Sequence, residues 1–267
     1  MVAPPTRHRG PAGRRHQQAG AQPSQVRPTR ADEELDEEFA PPPYNDEDDI
    51  YFGDFWGHLS QGYLRCALFQ FGGLPTGVRE PKEHEFFNIL RRYKISLAFL
   101  QELGLNWYAL SDSQQWLRRV RHELDSNETR TRCCHNTKSL ISEDRQWGGT
   151  GILAHGLVAH FAVGSGGDKT GLGRWTWSRF SGKNGMHLRC VSFYRPTPNK
   201  VGPASVWSQH RAYFQLRDDD RDPCIAFYED LRGEVLTWLA AGDQIIIGGD
   251  LNSHVLKPTV SLFFSQL

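Results

Sequence analysis

Three polar positions each follow a predicted apolar strand, where a side chain is held firmly and can still face a cleft. Glu102 follows the run Leu97–Leu100, Asp250 and Asn252 follow three consecutive isoleucines, and Tyr194 ends a third predicted strand. Two carboxylates brought together from distant strands repel each other unless a hard cation binds between them. Mg²⁺ suits such a site because it prefers oxygen ligands and polarises phosphoryl oxygens. The pattern is therefore compatible with metal-assisted chemistry on a phosphate ester.

Each of these residues also has an interpretation without chemistry. A glutamate after a strand, such as Glu102, is most often a solvated loop residue. The sequence Asp-x-Asn at Asp250 and Asn252 favours a turn, because both residue types tolerate turn geometry. A tyrosine at a strand end, such as Tyr194, commonly packs at the rim of a sheet. Taken one at a time, the residues do not separate the two interpretations.

The elements that must position these residues follow from apolar periodicity and turn signals. The first half of the chain predicts a buried strand at Leu64–Phe69, a helix introduced by Pro81, a strand at Ile95–Leu100, and a helix capped by Ser111 with Trp116, Leu117, Val120 and Leu124 on one face. The second half predicts strands between residues 150 and 195 with a hairpin turn at Asn184-Gly185, then a helix at Ile225–Ala241 and a buried strand at Ile245–Ile247. The order β-α-β, β meander, α-β predicts one α+β domain in which two packed sheets are flanked by helices.

The first 53 residues differ in composition from the rest of the chain. Residues 1–30 contain six arginines and no acid, and residues 31–50 contain ten acids and no basic residue. This composition predicts a disordered tail of residues 1–53, whose arginines could bind nucleic acid or act as a nuclear address. Pro41–Tyr44 matches the Pro-Pro-x-Tyr pattern that WW domains bind, which predicts a WW-domain partner. Residues 54–267 are the predicted folded domain.

Cysteine usage and hydropathy restrict the compartment. The five cysteines fit no disulfide or metal-ligand spacing. Cys133 and Cys134 precede His135, but no second ligand pair lies nearby in the sequence to complete a zinc site. No apolar run reaches the roughly 20 residues that cross a membrane. These features predict an intracellular protein without a membrane partner, and the arginine-rich tail makes the nucleus a candidate location.

Four segments in sequence order resemble the motifs of a known superfamily. They are Phe99–Glu102, Gly148–Leu153, Val191–Pro196 and Ile247–Asn252. They resemble, in turn, the Leu-Gln-Glu, Gly-Thr-(Ala/Gly)-Ile-Leu, Val-x-x-Tyr-x-Pro and Gly-Asp-(Phe/Leu)-Asn motifs of the endonuclease/exonuclease/phosphatase superfamily. The resemblance covers about residues 62–255. It implies a four-layer α/β/β/α sandwich of two mixed sheets and an Mg²⁺- or Mn²⁺-dependent phosphodiesterase.

The resemblance also implies a role for each candidate residue. Glu102 would bind the metal and Tyr194 would contact the scissile phosphate. Asp250 would orient or deprotonate the attacking water, and Asn252 would stabilise the developing charge. The implied substrate is a nucleic acid, with DNA expected ahead of RNA. The segment Gly171–Trp175 further resembles retrotransposon-type, apurinic-endonuclease-like domains, which implies an origin in a mobile element.

The chain departs from the superfamily pattern in two places. Gln70 stands where the first motif has a metal-binding asparagine, and it is the expected substitute ligand. Superfamily members continue to a final Ser-Asp-His, which is absent from the fifteen residues between Asn252 and Leu267. His254 would need an unusual turn to replace that histidine. These departures predict a C-terminally truncated, incomplete sandwich.

Three functions therefore stay open from the sequence. The first is a nucleic-acid phosphodiesterase. The second is a catalytically degenerate remnant or binding protein that lacks the final Asp-His. The third is a phosphatase acting on inositol or lipid phosphates, which ranks last because no segment resembles a lipid-binding element.

Overall fold

The computed structural model describes residues 64–124, 127–138, 144–197, 202–254 and 257–266. Contacts divide the chain into Met1–Asp54 and Phe55–Leu267, and every described residue belongs to the second unit. The predicted tail, including Pro41–Tyr44, lies outside the described residues. Among the described residues, no helix is both long and apolar enough to cross a membrane.

The described part of the chain contains eight strands and five α-helices, joined by loops and short 3₁₀ turns. The strands are β1 (Cys66–Gln70), β2 (Leu97–Gln101), β3 (Thr129–Cys134), β4 (Thr150–His155), β5 (Ala162–Gly167), β6 (Trp175–Ser181), β7 (His187–Tyr194) and β8 (Asp243–Asp250). The helices are α1 (Pro81–Arg92), α2 (Trp116–Glu123), α3 (Val206–Gln215), α4 (Pro223–Ala240) and α5 (Pro258–Ser265).

The strands form two mixed sheets of four. The first sheet has the order β1-β2-β4-β3 and the second has the order β5-β6-β7-β8. The pairs β1/β2 and β7/β8 are parallel, and the other pairs are antiparallel. The predicted hairpin joins β6 to β7, where Asn184 and Gly185 both have positive φ angles, of 56° and 73°. Such a turn matches the twist of the strands it connects.

Three apolar clusters hold the layers together. Between the sheets, Phe99 and Ile152 pack with Phe180 and Cys190. On the outer face of the first sheet, α1 and α2 contribute side chains such as Phe87, Trp116 and Val120. On the outer face of the second sheet, α4 and α5 contribute Phe227, Leu231, Val235, Val260 and Phe263. The predicted α+β fold, with two packed mixed sheets between helical layers, is thus confirmed.

Two strands that the sequence predicted to be buried are partly exposed to solvent. Leu68 of β1 is 58% exposed and Ile246 of β8 is 40% exposed. Both strands are edge strands, so each lacks one neighbour that would cover its side chains. An apolar run cannot distinguish an edge strand from a central one, because strand order depends on the whole topology.

The helix predicted after Ser111 also differs in detail. Ser111 forms a capping box with Gln114 on a short 3₁₀ turn, and α2 begins only at Trp116. Trp116 and Val120 are buried, whereas Leu117 is 39% exposed. Leu117 therefore lies at the margin of the apolar stripe and was wrongly placed on its buried face.

Candidate functional site

Parallel pairing places the predicted site residues at the ends of neighbouring strands. In the first sheet, Gln70 pairs with Gln101, so the carboxyl ends of β1 and β2 coincide and Glu102 follows immediately. In the second sheet, Tyr194 pairs with Asp250 at the ends of β7 and β8. Each sheet therefore presents two of the candidate side chains at one edge.

Two hydrogen bonds connect these edges from one sheet to the other. The Tyr194 hydroxyl donates to Glu102 Oε1 at 2.7 Å. The Gln70 amide Nε2 donates to Asp250 Oδ2 at 2.9 Å. Four residues that lie up to 180 positions apart in the chain thus form one cluster across the gap between the sheets.

Asn252 joins this cluster through a tight turn after β8. Its φ angle is +44°, which asparagine tolerates better than most residues. The Asn252 backbone N–H donates to Asp250 Oδ1 at 2.7 Å, and its side-chain Nδ2 donates to the Arg195 carbonyl at 2.6 Å. The side chain also lies close enough to the Tyr194 hydroxyl to favour its ionised form. The structure therefore brings all five predicted residues together.

The backbone at Glu102 is constrained by the turn that follows β1. Glu102 has a φ of +52°, an arrangement that costs a non-glycine residue roughly 1–3 kcal/mol and persists only when its surroundings impose it. The Gly73 N–H donates to the Glu102 carbonyl at 2.8 Å. A Cβ on Gly72 would lie 3.9 Å from Glu102 Oε2. Among the described residues, Oε2 has no hydrogen-bond partner, so one carboxylate oxygen is available to a ligand.

Tyr194 is set up as a hydrogen-bond donor. Burial raises the pKa of its phenol well above the ordinary value, and the hydrogen bond and negative charge of Glu102 raise it further. The amide of Asn252 acts in the opposite direction and lowers this pKa. The raising effects dominate, so the phenol stays protonated at neutral pH and offers its proton to an oxygen acceptor.

Sequence reasoning missed the polar residues beneath the site. Gln101 and Ser192 are buried, and the Gln101 amide donates to Ser192 Oγ at 3.0 Å. The Ser192 hydroxyl in turn donates to the Leu100 carbonyl at 2.9 Å. These bonds fix β2 against β7 directly below Glu102 and Tyr194. The sequence did contain a signal for them, because each is a polar residue on the inward face of an otherwise apolar strand.

Arg195 is the other residue that the sequence did not single out. Its guanidinium donates to the Leu251 carbonyl at 2.9 Å and lies 5.2 Å from the centre of the Tyr228 ring. Its backbone N–H donates to the Asp250 carbonyl at 2.9 Å. Arg195 therefore holds the turn that carries Asp250 and Asn252.

The oxygen donors in this cluster fit a hard divalent cation. They are the free oxygen of Glu102, the carboxylate of Asp250 and the amide oxygen of Gln70. Within the described ranges, no group of three or more His, Cys, Asp or Glu side chains is placed to hold a metal ion. One or two carboxylates supplemented by water are the usual protein contribution to an Mg²⁺ site, so the donor set fits. His254, which was considered as a replacement histidine, is exposed.

Comparison with known proteins gives similarity at the level of structure. No protein-family model matches the chain, and no curated protein matches it. An AP endonuclease from Archaeoglobus fulgidus is 12% identical with a TM-score of 0.44, over 73% of this chain and 60% of that one. An endonuclease/exonuclease/phosphatase family protein from Leptotrichia buccalis is 10% identical with a TM-score of 0.46, over 76% and 73%. TDP2 from C. elegans is 14% identical with a TM-score of 0.37, over 64% and 42%.

The chain resembles endonuclease/exonuclease/phosphatase structures. The name of the Leptotrichia protein is that of the superfamily whose motifs the four segments resemble. The chain spans 60% of the length of the Archaeoglobus enzyme. At these identities the similarity assigns no role to any residue here. The retrotransposon-type subfamily, the mobile-element origin and the C-terminal truncation stay predictions.

Proposed function

We propose that this chain carries the site of a divalent-cation-dependent phosphodiesterase that hydrolyses nucleic-acid backbones. The observation that supports the proposal is the convergence of Glu102 with Tyr194 and of Gln70 with Asp250 across the two sheets. Two carboxylates, a protonated phenol and two amides at one edge of a sandwich form a donor set suited to a cation and a phosphate together.

Glu102 Oε2 and the Gln70 amide oxygen would hold the cation, with Mg²⁺ or Mn²⁺ expected, which leaves Asp250 to act on the attacking water. When bound, such an ion polarises a phosphoryl oxygen and lowers the pKa of a coordinated water. The hydrogen bond from Tyr194 fixes Glu102 Oε1, which leaves Oε2 as the oxygen that faces the ligand. The position of Glu102 is thus set before any ligand arrives.

The remaining residues act on the phosphate and on the attacking water. On substrate binding Tyr194, whose phenol is protonated at neutral pH, would turn its single O–H from Glu102 Oε1 to a phosphoryl oxygen. Asp250 would accept the proton of a water that attacks phosphorus in line with the leaving oxygen. A bond from water oxygen to phosphorus forms as the bond to the leaving oxygen breaks. The Asn252 amide would stabilise the charge that develops on the phosphoryl group.

One observation favours a second candidate, a protein that binds phosphate without cleaving it. The Gln70 amide donates a hydrogen bond to Asp250 Oδ2, and this bond engages the carboxylate that would serve as proton acceptor. In this case the site would bind a cation and a nucleic-acid backbone, and the protein would act as a binding module.

The deciding experiment is the nicking of supercoiled plasmid by purified protein with Mg²⁺. We compare the unaltered chain with Glu102→Gln and Asp250→Asn, which remove one charge each and preserve shape. Asp220→Asn is the matched control, because the Asp220 side chain is 97% exposed. We expect both site variants to lose roughly 10²-fold or more of the nicking rate, a loss typical of a removed catalytic group, and the control to retain it.

The possible outcomes separate the two candidates. Nicking that survives in Glu102→Gln and Asp250→Asn would show that the activity arises elsewhere and would contradict the proposal. A folded protein that does not nick, but binds Mn²⁺ in a manner that Glu102→Gln abolishes, would support the binding module. Mn²⁺ binding is read directly by electron paramagnetic resonance.

A further inference from the structure

A cleft of about 480 Å³ lies between the β3 side of the first sheet and the loop that joins β5 to β6, and it takes no part in the hydrolytic mechanism above. Trp107 and Tyr108, from the loop after Glu102, line it together with Arg132 and His135 from β3 and the segment that follows it. The cleft is therefore built from the same loop that carries the proposed metal-binding glutamate.

Strand register places this cleft near the site. Gln101 of β2 pairs with Thr150 of β4, and Thr150 pairs with Cys134 of β3. His135 thus follows β3 at the same edge of the sheet where Glu102 follows β2. Two strand spacings of roughly 4.8 Å separate them, which is about 10 Å along the edge. A nucleotide adjacent to a phosphate bound at Glu102 can reach the cleft.

Two residues of the cleft have buried polar atoms that are unpaired. Trp107 and His135 are each 7% exposed, and neither Trp107 Nε1 nor His135 Nε2 has a hydrogen-bond partner in the described part of the chain. Burial lowers the pKa of His135 to about 4, so its imidazole is neutral at pH 7 and can accept or donate a hydrogen bond. Each of these two atoms has less than 1 Å² of exposed area, so both lie within the wall of the cleft and make that wall polar.

The rim of the cleft carries an aromatic ring open to solvent. Tyr108 is 77% exposed, and its ring meets the His135 ring edge-on with the centres 4.9 Å apart. Arg132 adds a cation on β3. Asp168 also lines the cleft, but it pairs with Arg174 at 2.6 Å, so its charge is compensated. An exposed aromatic face and a cation are the features that bind an unpaired base and its phosphate.

We propose that this cleft receives an unpaired nucleobase of the substrate strand, stacked on Tyr108, with Arg132 as the cation for its phosphate. The identity of the ligand rests on the proposed function, and the position of the subsite rests on the cleft itself. A base stacked inside a duplex cannot enter such a cleft. The chain therefore selects single-stranded nucleic acid, or a base displaced from its duplex.

The first test is photo-crosslinking in EDTA, where cleavage is not required. The probe is an oligothymidylate in which single thymines are replaced by 5-bromouracil, and crosslinked peptides are identified by mass spectrometry. We expect crosslinks at Trp107, Tyr108 or His135. Crosslinks confined to other peptides, or none above a bromine-free probe, would overturn the proposal.

The second test measures affinity for the same single strand and for a matched duplex by fluorescence anisotropy in EDTA. Base stacking on an aromatic side chain predicts at least roughly fivefold weaker single-strand binding for Tyr108→Ala. Tyr108→Phe keeps the ring and should bind within about twofold of the unaltered chain. Phe161→Ala is the control, because Phe161 is 46% exposed and follows the opposite end of β4. Unchanged binding by Tyr108→Ala would overturn the proposal.

These results are independent of nicking. If the protein crosslinks at Tyr108 but does not nick, the base subsite is supported and only the hydrolytic function is contradicted. If the protein nicks DNA but its affinity for the single strand is unchanged in Tyr108→Ala, only the subsite is contradicted.

Discussion

β2 leads directly into Glu102 and β8 ends in Asp250, but the two strands are held in different ways. All five residues of β2 are buried, because the strand lies inside its sheet between helices and the second sheet. β8 is an edge strand in which only Asp243 is buried. The strand before Glu102 is thus positioned by packing, and the Tyr194 hydroxyl fixes the Glu102 carboxylate, whereas Asp250 lies on an edge strand and depends on hydrogen bonds from Gln70 and Asn252. The same chemical requirement is met by an apolar core on one side and by polar contacts on the other.

The largest expected effect concerns the start of β8. Asp243 accepts from Arg179 and forms an ion pair with Arg189 at 2.7 Å. Removing one partner from a buried ion pair typically costs about 3–5 kcal/mol, and partial exposure of Arg179 places Asp243→Asn at the lower end. Urea unfolding at pH 7 measures this loss. A loss below about 1 kcal/mol would mean that packing alone holds β8.

The same ion pair predicts the direction of acid unfolding. Burial alone would raise the pKa of the Asp243 carboxyl, but hydrogen bonds from Arg179 and Arg189 outweigh burial and lower this pKa. The stabilisation is therefore present above the unfolded value, about pH 3.9, and is lost as pH falls through the lowered folded value. Unfolding free energy should fall less steeply below pH 4 in Asp243→Asn than in the unaltered chain.

The next effect compares the cores of the two strands. Leu100 of β2 is fully buried, and Leu100→Ala should lower the free energy of unfolding by roughly 2–5 kcal/mol. Ile246 of β8 is 40% exposed, so Ile246→Ala should cost less than about 1 kcal/mol because it leaves no closed cavity. Urea denaturation followed by tryptophan fluorescence measures both. Equal losses would contradict the distinction between a packed strand and an edge strand.

The smallest effect concerns the exposed bond that ties Asp250 to the first sheet. Gln70→Ala removes the amide that donates to Asp250 Oδ2 and should cost about 1 kcal/mol or less, since the group is exposed and water replaces the lost bond. The sharper readout is Mn²⁺ affinity. We expect weaker binding if the Gln70 amide oxygen is a ligand. Tighter binding would show instead that Gln70 competes for the Asp250 carboxylate.

Much of this arrangement could be predicted from local sequence signals. The strand before Glu102, the hairpin at Asn184-Gly185 and the isoleucine strand before Asp250 all lie where the sequence predicted them. Each depends on neighbours within a few residues, such as an apolar run or a two-residue turn. The meeting of the five site residues was predicted through the motif resemblance, and the hydrogen bonds between the sheets agree with it.

What could not be predicted depends on contacts between distant segments. The exposure of Leu68 and Ile246 follows from strand order, which no short window of sequence contains. The same holds for the proposed base subsite. Trp107 lies after β2 and His135 lies after β3, and only the strand order places these two strand ends at the same edge of the sheet, on either side of β4. Gln101 and Ser192 could be noticed as polar residues in apolar strands, but their pairing could not.

The two glycines before Asp250 allow close contacts, Gly248 with the first sheet and Gly249 with the neighbouring strand β7. A Cβ on Gly248 would lie 3.2 Å from Leu68 Cδ2 and 3.3 Å from Phe99 Cγ, and one on Gly249 would overlap the Phe193 carbonyl oxygen. Because neither glycine has a side chain, β8 lies close against its neighbours just before the chain reaches Asp250. A side chain at Gly248 would push β8 away from the first sheet two residues before Asp250, so the hydrogen bond between Gln70 and Asp250 depends on the absence of that side chain.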